Sequence, residues 1–72
     1  MIPIIVKAAF DPEVGRWYIE ESSLSGLHVE ADTHDELARE VAAAIEELLE
    51  GQPGEVPFVL ITRQDGSVNI AA

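Results

Sequence analysis

One segment of this sequence has the spacing of an amphipathic helix, yet two of the strands around it are apolar on both faces. From His34 onward apolar residues recur at Leu37, Val41, Ile45 and Leu48, with Ala38 and Ala44 beside them. That is one buried helical face. Thr33 and Glu36 form the T-x-x-E pattern of a capping box, and Gly51 supplies the stop. A single helix covers a single face of a sheet, so the chain must leave the other face bare or cover it with something else.

The strands follow from alternation and turn chemistry. Met1 to Phe10 places Ile2, Ile4, Val6, Ala8 and Phe10 on one parity and Pro3, Ile5, Lys7 and Ala9 on the other. Asp11-Pro12-Glu13-Val14-Gly15 is a cluster of turn formers, and Arg16 to Ser22 is a second strand of matching length. The pair reads as an antiparallel hairpin. After the Ser22-Ser23-Leu24-Ser25-Gly26 loop, Leu27 to Glu30 is a short third strand, and Val56 to Arg63 is a fourth. Gln64-Asp65-Gly66-Ser67 is a hairpin turn, because Asp-Gly tolerates the positive φ of type I′. It makes Val68-Asn69-Ile70 available as a fifth strand. The expected fold class is α+β, β-β-β-α-β with or without a final β, one helix on a small and mainly antiparallel sheet. Trp17, Ile19, Leu27, Leu37, Val41, Ile45, Leu48, Phe58 and Leu60 form the expected core.

Size sharpens the problem of the spare face. Residues 1–72 make one domain, and a chain this short buries only about 60% of the surface it exposes when unfolded. With no cysteine, neither a disulfide framework nor a Cys-based zinc site can add stability. Ile5 and Ala9, with Val59 and Ile61, lie on the face away from the helix. They are the expected self-association surface, for which a partly wet sheet face is the plainer reading.

Charge decides which partners suit the chain. Fourteen acidic residues against four basic ones give −10 at pH 7. This disfavours direct nucleic-acid binding, which relies on phosphate neutralisation, and it equally disfavours an anionic membrane. No apolar run approaches a membrane span, and no basic leader precedes a signal-type stretch, so the cytoplasm is the expected compartment.

Catalytic constellations are thin. Ser22, Ser23 and Ser25 with His28 are ordinary turn and strand residues, and a triad needs more than nearness in sequence. His28, Glu30, Asp32, His34 and Asp35 mix imidazole and carboxylate within eight residues. Asp32 and Asp35, however, are explained by the helix N-terminus, which favours negative charge. Asp11, Glu20, Glu21 and Glu30 are candidates to hold Mg²⁺ for phosphodiester cleavage, but Lys7, Arg16, Arg39 and Arg63 are not grouped to hold a nucleic acid. The expectation is therefore no catalytic residue, no metal and no cofactor.

The helix carries a clearer signal. With its apolar stripe turned inward, Glu36, Arg39, Glu40, Glu46, Glu47 and Glu50 face outward. Arg39 is placed to offset Asp35 and Glu36, whereas nothing offsets Glu46, Glu47 and Glu50, where the helix dipole prefers cations. Solubility explains this, and so does a docking surface for a basic partner formed by Glu36, Glu40, Glu46, Glu47 and Glu50.

The order of these motifs resembles a known family. A strand, Asp11-Pro12-Glu13, Trp17 in the next strand, Leu24-Ser25-Gly26-Leu27, Glu30-Ala31-Asp32-Thr33, and a helix ending in Leu48-Leu49-Glu50 are similar to short members of the HicB-like antitoxin superfamily. The likeness spans Ile4 to Glu50. It implies a partial ribonuclease-H-like fold without the nuclease site, assembly into dimers or tetramers, and sequestration of a small basic mRNA-cleaving toxin. Full-length HicB proteins add a helix-turn-helix or ribbon-helix-helix domain, and no basic helix follows here. The expectation is thus a non-enzymatic antitoxin-like binding protein. The alternatives are an oligomeric structural or regulatory module of the same fold and, last, a metal-dependent nuclease.

Overall fold

A computed structural model describes residues 2–71, so the expected strand position at Met1 lies outside the described residues. Strand β1 runs Ile4–Asp11, β2 Arg16–Ser22, β3 Glu30–Ala31, helix α1 His34–Leu48 and β4 Phe58–Arg63. The strands form one mixed sheet in the order β3-β2-β1-β4. β1 pairs antiparallel with β2, β2 antiparallel with β3, and β1 parallel with β4.

The β1–β2 hairpin closes as its turn residues require. Asp11 Oδ1 accepts the Glu13 N–H at 3.0 Å, and the Asp11 carbonyl accepts the Gly15 N–H at 2.8 Å. Gly15 takes φ +68°, a left-handed backbone that a side chain would strain. Between Lys7 and Ala8 the register slips: Lys7 opposes Glu21 while Ala8 opposes Ile19, leaving Glu20 as the extra residue of a bulge. A bulge re-aims side chains. Here both carboxylates serve the face away from the helix, Glu21 reaching Lys7 at 3.6 Å and Glu20 reaching Arg63 at 2.9 Å.

The helix begins at Thr33, whose Oγ1 accepts the Glu36 N–H at 3.1 Å, one arm of the capping box. Leu37, Val41 and Ile45 are buried against Val6, Ala8, Trp17, Leu27 and Ala31. Phe10 and His34 meet Trp17 edge-on, with ring centroids 5.3 and 5.5 Å away. Ile19, Phe58 and Leu60 pack at the margin of this core.

Three expectations need correction. Leu48 is 45% exposed, and Leu49 packs against the core instead. The helical period alone favours Leu48, but the helix ends there: Leu49 is the C-cap, with φ −104° and ψ 19°, and the departure from helical geometry lets its side chain reach the core. The third strand is Glu30–Ala31 rather than Leu27 to Glu30, because only Trp17 and Tyr18 of β2 find partners there. Leu27 is buried all the same. No fifth strand forms among the described residues. Gly66 does not take the positive φ that a type I′ turn demands. Instead Arg63 Nε meets Asp65 Oδ2 at 3.6 Å, the i,i+2 relation of a chain that stays extended.

Candidate functional site

The sheet and helix leave two surfaces of opposite character. On the outer side of α1, Glu40, Glu46 and Glu47 are exposed, as is Glu50 just beyond it, while Glu36 is half-buried beside the cap. Residues 35–50 hold six carboxylates and Arg39, a net −5 out of the chain's −10. Arg39 lies within 4.0 Å of no carboxylate among the described residues, so the offset expected from it is not made by contact. The acidic first turn, Asp35 and Glu36, suits the helix dipole, but the last turn has no basic residue. Glu46, Glu47 and Glu50 surround a shallow hollow floored by Ala43. A small residue ringed by carboxylates admits a long cationic side chain.

The opposite surface is the bare face of the sheet. Ile5 pairs with Val59 and Lys7 with Ile61, so Ile5, Val59 and Ile61 form one continuous apolar strip. Val59 is 43% and Ile61 47% exposed. Ala9 is only 2% exposed and offers no contact area of its own. It lies on β1 between its register partners Tyr18 of β2 and Arg63 of β4, and Arg63 reaches across the central strand to Glu20 of β2. Unlike the helix, this face has its basic groups paired, Lys7 with Glu21, Arg63 with Glu20 and Arg16 with Asp32 at 3.2 Å.

The other candidates disperse. Ser22 Oγ accepts the Leu24 N–H and Ser23 Oγ accepts the Ile5 N–H, at 3.0 and 2.9 Å, so both hydroxyls tie the loop to the sheet. Asp32 is engaged by Arg16 and His34 meets Trp17 edge-on, while Glu30 lies on β3 and His28 in the loop before it. Among the described residues no three histidine or carboxylate side chains converge on a point that would hold a metal ion. No described helix is long and apolar enough to cross a membrane. The Arg63–Glu20 span and the groove between α1 and β4 escaped the sequence reading. The unpaired Glu20 of the bulge has no signature in composition or alternation.

Residues 3–67 match the family described as a domain of unknown function, DUF1902, and the chain belongs to that family. No curated protein and no solved structure matches it.

Proposed function

We propose that this DUF1902 protein is a non-enzymatic, antitoxin-like binding protein that sequesters a small basic RNA-cleaving toxin in the cytoplasm. The single observation that carries the reading is the acidic outer side of α1, where Glu36, Glu40, Glu46, Glu47 and Glu50 stand without a basic neighbour in the last turn. Local helix energetics would favour lysine there. The uncompensated acid is tolerated because each like-charge neighbour costs only about 0.3 kcal/mol. A basic RNA-binding surface is complementary to it, and charge complementarity of this kind accelerates encounter and selects the partner. The β-β-β-α-β order and the resemblance to HicB-like proteins support a partial ribonuclease-H-like fold in the same reading.

The test is affinity capture from the native lysate at low salt, followed by an RNA-cleavage assay on what is recovered. The reading expects a small basic protein whose RNA cleavage this chain inhibits. Equal recovery by the Glu46→Gln/Glu47→Gln/Glu50→Gln variant would reduce the acidic helix to a solvated surface. A second reading, an oligomeric structural or regulatory module with no toxin partner, is favoured by the apolar strip Ile5, Val59 and Ile61. That strip is suited to a second copy whatever the helix binds.

A further inference from the structure

The segment after β4 pairs with nothing among the described residues, and the edge of β4 beside it is free. Residues 64–71 form no strand and carry Val68 and Ile70 at 80% and 83% exposure. The molecule measures 59 × 23 × 19 Å, with a radius of gyration of 14.8 Å against about 11 Å for a compact chain of this length. Residues 64–71 are all exposed and belong to no helix or strand, and the Arg63–Asp65 contact is that of an extended backbone.

β4 is an edge strand of the β3-β2-β1-β4 sheet. The Ile4 N–H donates to the Pro57 carbonyl at 3.0 Å, with Ile4 in register with Phe58. In a parallel ladder that arrangement turns the odd-numbered residues of β4 toward β1 and the peptide groups of Phe58, Leu60 and Thr62 toward the open edge. Residues 57–62 carry no charge to blunt that edge, which natural edge strands usually need. Beside it, between α1 and β4, Ala42, Ile45, Leu49, Val56 and Phe58 line a groove of about 350 Å³ together with Glu46 and Glu55.

We propose that residues 66–70 of one copy pair antiparallel with the free edge of β4 in a second copy, reciprocally about a twofold axis. Parity favours it. Val68 and Ile70 share the even numbering of Phe58 and Leu60, so Val68 opposite Leu60 and Ile70 opposite Phe58 all face the helix side, over the groove. A fold-back through a two-residue Asp65-Gly66 turn would instead set Ile70 opposite Ile61, on the bare face. Charge favours it as well. Residues 66–71 are uncharged, as are residues 57–62 of the receiving strand, so the pairing segments themselves add no repulsion between two chains at −10, and the uncharged tail brings no further acid to Glu46 and Glu55 in the groove. This interface is separate from the Ile5–Val59–Ile61 strip and does not rest on the toxin reading.

The absence of native cysteine makes the register testable. Chains carrying Leu60→Cys and chains carrying Val68→Cys, mixed and oxidised, are expected to give a cross-linked product containing one of each. By light scattering the unmodified chain is expected at twice 7.8 kDa. Val68→Pro/Ile70→Pro removes two backbone donors and adds no charge, so it halves that mass while helical circular dichroism stays unchanged. Three results would overturn the proposal: a monomeric parent chain, a proline variant that keeps the doubled mass, or an intrachain disulfide in an Ile61→Cys/Ile70→Cys chain.

Discussion

The two faces of the sheet are built from the same strands and obey different rules. On the helix side Val6, Leu37, Val41 and Ile45 are buried, so shape and volume dominate. On the bare side Ile5, Val59 and Ile61 keep contact with water beside two cross-strand ion pairs, Lys7–Glu21 and Arg63–Glu20, and the Arg16–Asp32 pair. The parity switch of a β-strand makes this possible, since neighbouring residues of one strand belong to different environments. Apolar content alone therefore says little about where stability resides. Being covered is what matters.

Substitutions that keep or remove cover test this contrast. Leu37→Ala, at the centre of the covered face, should cost about 2–5 kcal/mol by denaturant unfolding, because it deletes transfer energy and leaves a cavity. A loss below about 1 kcal/mol would mean that the covered face collapses easily and the contrast is weak. Thr33→Ala removes the acceptor for the Glu36 N–H and should cost about 1 kcal/mol, visible as a lower unfolding midpoint. Val59→Ser/Ile61→Ser on the bare face should cost less per residue than Leu37→Ala, about 1 kcal/mol each, since both side chains are nearly half wet already. A cost per residue comparable to Leu37→Ala would show that this face is covered in solution. Smallest of all, Glu46→Gln/Glu47→Gln/Glu50→Gln should raise the unfolding midpoint slightly, by a few tenths of a kcal/mol, roughly what like-charge helix pairs are worth. The gain should fade as salt is added.

Much of this contrast was legible in the sequence, and the failures have physical causes. The helix was marked redundantly by the Thr33–Glu36 cap, the Leu37–Val41–Ile45 spacing and the Gly51 stop, so its position did not rest on a single cue. β2 was bounded by Gly15 on one side and a serine loop on the other. β3 was misplaced because two residues paired to Trp17 and Tyr18 are set by tertiary contact and have no period to read. Leu48 fits the helical period, but the helix ends at it and the C-cap Leu49 packs on the core instead, an end effect that periodicity does not carry. The fifth strand was expected from Asp65-Gly66, a turn signal that local sequence permits but does not compel. Of the candidate site, the exposed acids were evident from the helical period. The bare face was evident from double parity, but the burial of Ala9 between Tyr18 and Arg63 depends on which strands flank β1, which alternation does not encode.

The most direct test of the account compares the two surfaces in one assay. The basic protein recovered by capture is allowed to cleave RNA while increasing amounts of parent chain, Glu46→Gln/Glu47→Gln/Glu50→Gln or Val59→Ser/Ile61→Ser are added. The account predicts that the parent and the sheet variant inhibit alike, and that the helix variant fails, most clearly at low salt. Equal inhibition by all three, inhibition lost only in the sheet variant, or capture of no RNA-cleaving protein would contradict the acidic helix as the binding surface.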